Sequence, residues 1–516
     1  MKYRQFLIVM ICMVIINSLA YLAPPILIQI WNNDSIGFTS ERVICLFVVL
    51  LLALIIEIIF TAIREKFAKG FNIKNCVMML NSMFHLKYDE INEKGPMNLI
   101  ERIAISVNSF YAYYTGDAIK IWSSLIIITS ITVMVFLMNP YIAIILVIIV
   151  PINYFGYRLL NKELMKRSKN MQESTSSGWQ EILSIVNQTD YLKQLPDYER
   201  LFEQFDSSLK KIYGSMAEVN IYAQSSSTLL KSMNSIVNIM VMVFLVMDYM
   251  KLNQNPMNLV IYTIILPLFF NQVNQLTSSN LNKRDMVNSK RFVEELKQHR
   301  ELDGHIDIES IDTVDLQIDE LMIKDRVLSK NINGSYKKGD IIWIKGSSGA
   351  GKSTLLKLIP KFREAKGVKL NKESIINITN KSIRSNVEYL SQNVPIIKGT
   401  LRDNLFLGKE RLLEIENDLI KDPILETIFK NINLDTVILE GGTNLSGGEK
   451  QKIAIVRALY NHSDVLILDE ITSNIDKESA NDILNRITDD SSNRITFIIT
   501  HDDLSDRYYN TVLNLY

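Results

Sequence analysis

Six long apolar runs lie in the first 280 positions and limit what this chain can fold into. They run near Phe6–Ile28, Val43–Ile63, Ala118–Met138, Tyr141–Leu160, Leu229–Met250 and Met257–Leu276. A helix needs about 20 mostly apolar residues to cross a bilayer, and each run supplies them. Only Asn139-Pro140 separates the third run from the fourth, which predicts a helical hairpin. The first run has a rival reading. Lys2 and Arg4, an apolar stretch and Ser18-Leu19-Ala20 have the outline of a cleaved secretory signal. The apolar stretch continues past Ala20 and opens a series of further runs, so it is taken as the first span.

Lysine and arginine placement sets the expected orientation. Positions 64–117 carry Arg64, Lys66, Lys69, Lys74, Lys87, Lys94 and Arg102, and positions 161–221 carry a comparable basic set that includes Lys162, Lys166, Arg167 and Lys169. The other connections are short, with Arg42 and Lys251 as their clear basic residues. The long basic segments are therefore expected on the cytoplasmic side, together with both termini. Ile182, Ile185 and Val186, then Leu201, Phe205 and Leu209, keep helical spacing, so these segments extend the spanning helices. Gly95-Pro96 predicts a tight bend in the first of them.

Beyond position 280 the composition changes to charged residues, glycines and short strand and helix patterns. This predicts a membrane domain over 1–282, a connector over 283–313 and a soluble domain over 314–516. The 56 basic and 56 acidic side chains balance, so bulk charge gives no reason to expect a nucleic-acid partner. Cys12, Cys45 and Cys76 have no metal-ligand spacing and no paired framework.

The soluble part contains Gly346-Ser347-Ser348-Gly349-Ala350-Gly351-Lys352-Ser353, which fits G-x-x-x-x-G-K-[ST] at every fixed position. An apolar strand precedes it (340–345) and a helix pattern follows from Thr354. Glycines let the backbone approach phosphate, and loop N–H groups point inward to hold it. Lys352 would reach the β- and γ-phosphates and Ser353 would hold Mg²⁺. This predicts a site for ATP or GTP. Val465 to Leu468 is a second apolar strand, ending in Asp469 and Glu470. Asp469 suits a contact to Mg²⁺, and Glu470 is placed to polarise an attacking water. Ser446-Gly447-Gly448 precedes a helix pattern and forms a second anion-binding element. Gln392 follows an apolar strand over 387–390, and His501 follows another over 495–500.

With these motifs in this order the whole chain resembles the ATP-binding cassette transporters. The resemblance implies an all-α transmembrane domain of six helices followed by an α/β phosphate-loop nucleotide-binding domain. It implies ATP and Mg²⁺ as ligands. Ser446-Gly447-Gly448 takes the place of the signature motif, which binds the γ-phosphate held by the phosphate loop of an opposite subunit. Gln392 takes that of the glutamine that senses Mg²⁺ and γ-phosphate, and His501 that of the switch histidine. Ser473-Asn474-Ile475-Asp476 takes that of the D-loop, with Asp476 matching its aspartate. Glu440 to Gly448, in the pattern E-x-G-x-x-L-S-G-G, and Gly399 to Asn404 look like the exporter branch, as do two coupling regions at 88–102 and 193–205. That branch fuses membrane domain and cassette in one half-transporter. The working unit would be a dimer, with either a second copy or a sister chain as partner.

The expected cargo is a secreted peptide of the bacteriocin or signalling type. Lipid or hydrophobic-drug export is the alternative, and a sensing complex that moves nothing is a third. No peptidase domain is expected ahead of the first span. The Ile, Asn and Lys content suggests a bacterial source, and hence a multi-pass protein of the plasma membrane with its cassette in the cytoplasm. One departure concerns the nucleotide base. Positions 321–326 lack the aromatic residue that usually stacks on adenine, leaving Met322 or Ile323 to pack there. Within the spans, Glu57 is the clear carboxylate in an apolar run. Asn17, Asn153, Asn234, Asn238, Asn271, Gln272 and Gln275 are milder polar residues. They are expected to hydrogen-bond between helices or to line a partly polar cavity.

Overall fold

The computed structural model describes residues 3–33, 39–186, 188–252, 256–323, 326–364, 366–408, 413–429, 431–470, 475, 477–500 and 504–516. Contacts divide the chain into two units, residues 1–86 with 90–300 and residues 87–89 with 301–516.

The first unit is helical. In chain order the helices are α1 (Tyr3–Asn33), α2 (Ser40–Phe84), α3 (Tyr88–Lys94, whose first two residues group with the second unit), α4 (Pro96–Ala112), α5 (Ala118–Met138), α6 (Pro140–Val186), α7 (Thr189–Gln194), α8 (Glu199–Leu252) and α9 (Pro256–Gln298). Among the described residues, 6 helical segments are long and apolar enough to cross a membrane. Each expected span lies inside one of α1, α2, α5, α6, α8 and α9. The basic segments are helical as their spacing predicts: α2 continues beyond Ile63 to Phe84, and α6 beyond Leu160 to Val186. Gly95 takes φ +75, a left-handed conformation that glycine adopts without strain, and Pro96 opens α4. At the hairpin, the Asn139 side chain accepts from the backbone N–H of Tyr141 at 3.0 Å and so caps α6. Pro24 and Pro25, Pro151 and Pro267 lie inside α1, α6 and α9, which continue through them.

The interior of this unit is built where α5, α6, α8 and α9 meet, from Ile127, Ile131, Leu146, Ile265 and Phe269 among others. Polar groups cross the same region in pairs. Asn153 on α6 and Asn234 on α8 exchange two hydrogen bonds of 2.9 Å, and Asn234 also donates to Asn274 on α9 at 2.7 Å. Ser124 on α5 donates to Gln272 on α9 at 2.8 Å. For Asn153, Asn234 and Gln272 the interhelical reading therefore holds. Asn274 completes the cluster and was not foreseen. One π-turn, Tyr113–Asp117, joins α4 to α5.

The second unit has two main sheets. Its strands are β1 (Thr313–Ile323), β2 (Arg326–Lys337), β3 (Ile341–Gly346), β4 (Val368–Leu370), β5 (Glu373–Ser374), β6 (Val387–Leu390), β7 (Gly399–Thr400), β8 (Val437–Ile438), β9 (Val465–Asp469), β10 (Ile495–Ile499) and β11 (Thr511–Leu515). The antiparallel sheet has the order β2-β1-β4-β5, and the parallel sheet β11-β3-β10-β9-β6. The helices are α10 (Lys352–Leu356), α11 (Asn380–Asn386), α12 (Leu401–Leu405), α13 (Leu413–Leu419), α14 (Pro423–Glu426), α15 (Gly447–Tyr460) and α16 (Lys477–Asp489). β9 and β10 are buried along their whole length, as expected of continuous apolar runs in a sheet covered on both faces. One core contains Ile344, Ile467 and Phe497 together with β1 and β4, and a second packs Leu466, Leu468 and Ile498 against α15 and α16. Of the stretch expected as a connector, residues up to Gln298 belong to α9, and residues from Glu301 group with the second unit.

Candidate functional site

Parallel strands carry their following loops to one edge of the sheet, which is where ligands bind in open α/β sheets. β3 leads into the phosphate loop, β9 ends at Asp469 with Glu470 just after it, and β6 leads to Gln392. The register fixes this edge: Leu390 lies opposite Leu468, and Asp469 opposite Ile499. The phosphate loop, both carboxylates and Gln392 are thus brought to one edge by topology. His501 and Asp476 lie outside the described residues, as do Ser473 and Asn474.

The loop has the conformation its glycines predict. Gly349 and Gly351 take φ +84 and +92, and a Cβ at Gly351 would also meet Leu321 Cδ2 at 2.9 Å. Gly346, Ser347, Ser348 and Gly349 are exposed, while Ala350 is buried and its carbonyl accepts from Ser329 Oγ at 2.7 Å. Lys352 folds back over the loop and donates to the carbonyls of Gly346 at 2.9 Å and Ser347 at 3.1 Å. Its ammonium therefore stands at the loop's mouth, where a phosphate could exchange for those carbonyls. Ser353 and Thr354 lie in the first turn of α10.

Ser353 Oγ donates to Asp469 Oδ1 at 2.9 Å. A buried carboxylate and a hydroxyl in contact beside a phosphate loop are the hard oxygen ligands that suit Mg²⁺, which is commonly held by one or two protein groups plus substrate phosphates. Among the described residues no group of three or more acidic, histidine or cysteine side chains is placed to hold a metal alone. Gln392 is exposed, two residues beyond β6.

Sequence reasoning missed two features. Glu470 takes φ +58, left-handed for a residue with a Cβ, and its N–H donates to Ile499 O at 3.0 Å. That conformation costs about 1–3 kcal/mol and tends to occur where function requires it. Tyr389, in the strand that leads to Gln392, donates its hydroxyl to Asp469 Oδ2 at 2.6 Å. Burial and then the Asp469 carboxylate push the Tyr389 phenol pKa up, so it remains a protonated donor. Its position three residues before Gln392 was the available signal.

Ser446 sits at the N-cap of α15. Its hydroxyl accepts from Glu449 N at 3.3 Å, while Glu449 Oε2 accepts from Ser446 N at 2.6 Å, a reciprocal capping box. Ser446 and Gly447 are exposed, with Gly448 beside them in the first turn, so this helix end can meet an anion from outside. On the base side, Met322 is 46% exposed at the end of β1. Tyr336 is buried edge-on against Phe497, with ring centroids 5.4 Å apart, and cannot stack on a base.

Comparison with known proteins agrees with this arrangement. The family described as "ABC transporter transmembrane region" matches residues 7–273, and that described as "ABC transporter" matches residues 329–473. A "Probable ABC transporter ATP-binding/permease protein" of Haemophilus influenzae is 27% identical over 323 residues, 60% of this chain and 57% of that protein. The chain thus spans little more than half of that relative's length. An "ATP-dependent lipid A-core flippase" of Aliivibrio fischeri is 24% identical over 437 residues, 82% of this chain and 75% of that protein. A solved structure of a bacterial Atm1-family ABC exporter with ATP bound shares the fold, with a TM-score of 0.86 at 17% identity over 99% of this chain and 93% of that one. Given a transmembrane match over half of its length and a cassette match behind it, this chain belongs to the ABC transporter family, with both parts fused in one polypeptide.

Proposed function

We propose that the protein is an ATP-hydrolysing exporter that works as a dimer and moves a lipid-like amphiphile. The catalytic half of this reading is carried by the contact between Ser353 and Asp469 at the phosphate loop. Lys352 and the loop N–H groups bind the phosphates and offset charge as it develops on the γ-phosphoryl group. Glu470, next to Asp469, takes the proton of the attacking water. Ser353 and Asp469, joined by Gln392 from the segment after β6, would hold Mg²⁺, which when bound neutralises phosphate charge. The exposed Ser446-Gly447-Gly448 end of α15 would complete the site of a second half-transporter, His501 would contact the γ-phosphate, and Asp476 would act at the dimer interface. The partner is a second copy or a sister chain. Every catalytic position is filled, so two copies would have two competent sites.

The cargo reading moves from the expected peptide to an amphiphile. Its support is a pocket in the first unit between α1, α2, the π-turn and the start of α5. Glu57, Arg64 and Lys120 line it together with Met13, Ile16 and Phe60. Charged and apolar side chains around one pocket suit a headgroup attached to hydrocarbon. The relatives' printed names point the same way, since one is called a lipid A-core flippase. The test is ATP-dependent movement of a headgroup-labelled phospholipid in proteoliposomes. The native chain is expected to move the label, Glu470→Gln to leave it in place, and Glu57→Gln to slow it. Hydrolysis without movement would favour a peptide cargo or a complex that uses ATP for sensing.

A further inference from the structure

Asp469 is held at both carboxylate oxygens. Ser353 Oγ donates to Oδ1 at 2.9 Å, and the Tyr389 hydroxyl donates to Oδ2 at 2.6 Å. The second bond has no place in the roles assigned above. A carboxylate at the end of a strand can rotate about its terminal torsion, because that torsion is broad. A donor fixed on Oδ2 removes that freedom and leaves Oδ1 turned to the Ser353 hydroxyl. The donor is itself fixed. Tyr389 stands in β6, which pairs with β9 in register, Tyr389 opposite Ile467. Its ring packs edge-on against Phe362, with centroids 5.6 Å apart and planes at 79°. Phe362 in turn stacks on Tyr88, at 5.9 Å and 10°. Tyr88 is one of the three residues 87–89 that group with this unit, and its segment is pinned there by ion pairs from Arg363 to Asp89 at 2.7 Å and from Lys87 to Glu364 at 2.9 Å.

We infer that Tyr389 is a positioning residue for the Mg²⁺-binding carboxylate, and that Phe362, backed by Tyr88, keeps its ring in place. Tyr389 acts on Asp469 and not on nucleotide or metal directly. It acts by holding Asp469 in the one rotation in which Oδ1 and the Ser353 hydroxyl face the same point. Rings suit this task, since an aromatic side chain has two torsions to fix and the edge-on pair adds its own attraction. The inference rests on the reading that Ser353 and Asp469 hold Mg²⁺.

The experiment is equilibrium binding of ATP to the full chain by titration calorimetry, with and without Mg²⁺. The ratio of the two dissociation constants isolates what the metal adds. Tyr389→Phe removes only the hydroxyl and is expected to shrink that ratio about tenfold, the effect of one hydrogen bond to a charged acceptor, while leaving metal-free ATP binding unchanged. Phe362→Leu is expected to shrink the ratio by a smaller factor, and to add nothing on top of Tyr389→Phe, as residues acting through one group do. An unchanged ratio in Tyr389→Phe overturns the inference, as does an equal loss of ATP affinity with and without Mg²⁺, which would mark a packing role. Asp469→Asn separates the two levels. If it abolishes the Mg²⁺ effect while Tyr389→Phe does not, the inference fails and the reading of the metal site stands. If the native chain shows no Mg²⁺ effect, both fail.

Discussion

In β9 every residue from Val465 to Asp469 is buried, whereas on the apolar span of α2 Phe47 is 66% exposed and Leu51 and Ile58 are each 61% exposed. Both segments are runs of large apolar side chains, and they answer to different solvents. β9 is apolar because sheet and helices exclude water from both of its faces. α2 is apolar because lipid is as apolar as leucine, so its outer face needs no protein cover. The contrast teaches where residue identity matters. On α2 the requirement is hydrophobicity over a length. At β9 each side chain has fixed neighbours, and its last residue must present one oxygen to Ser353 and another to Tyr389.

The largest expected effect is at the end of β9. Glu470→Gln removes the general base, a contribution of about 10²–10⁴-fold. ATP turnover should fall by at least about a hundredfold while ATP binding persists. Normal turnover in that variant would remove Glu470 from the mechanism. The next test sets the two solvents against each other. Ile467→Ala leaves a cavity in the sheet and should cost the second unit about 2–5 kcal/mol of stability. Leu51→Ala on α2 should change thermal stability in lipid discs by less than about 0.5 kcal/mol. Comparable losses in the two variants would break the comparison and mean that protein, not lipid, covers that face of α2.

The two units were also legible in the sequence to different degrees, for the same physical reason. Spans are set by length and apolarity, so all six were read from runs alone, and the hairpin from Asn139-Pro140. Cassette motifs are set by backbone geometry near phosphate, so Gly349 and Gly351 could be assigned their roles before their left-handed φ values were known. What stayed hidden depends on side chains meeting across sequence distance. Tyr389 stands three residues before Gln392, but that spacing does not single out Asp469, 80 positions away, as its partner. Nothing local tells Asn274, which bonds Asn234, from any other polar residue in a span. The left-handed Glu470 was hidden for another reason: its conformation follows from how β9 ends against β10, and the residue type argues against it.

Ser446 sharpens the comparison from the cassette side, because one hydroxyl has both a structural and a chemical role there. Ser446→Ala removes the cap of α15 and should cost about 1 kcal/mol of stability. If the hydroxyl also contacts the partner's γ-phosphate, ATP turnover should fall by more than that stability loss explains. Ser446→Asp separates the two roles. An aspartate caps a helix as well as a serine does, so stability should be retained, yet its charge repels phosphate, so turnover should be lost. Retained turnover in Ser446→Asp would confine Ser446 to capping.

A further test belongs to the membrane unit and asks whether that unit has any position as specific as those of β9. Asn234 is 1% exposed and bonds both Asn153 and Asn274. In a water-soluble core, taking this partner from the buried Asn153, which keeps its bond to Ile149 O, and from the half-buried Asn274 would cost about 1–3 kcal/mol for each group left unmet. Within a bilayer the unfolded reference also finds partners for polar groups, and measured interhelical bonds average about 0.6 kcal/mol with a maximum near 1.7. Asn234→Ala should therefore lower stability in lipid discs by about 1 kcal/mol and leave ATP binding unchanged. Asn234→Asp keeps an acceptor for Asn153 but brings a charge into the bundle, and should cost more than the alanine despite its closer shape. The opposite order would mean that water reaches the asparagine cluster, which would place it on a cargo path and not in the packing of α6, α8 and α9.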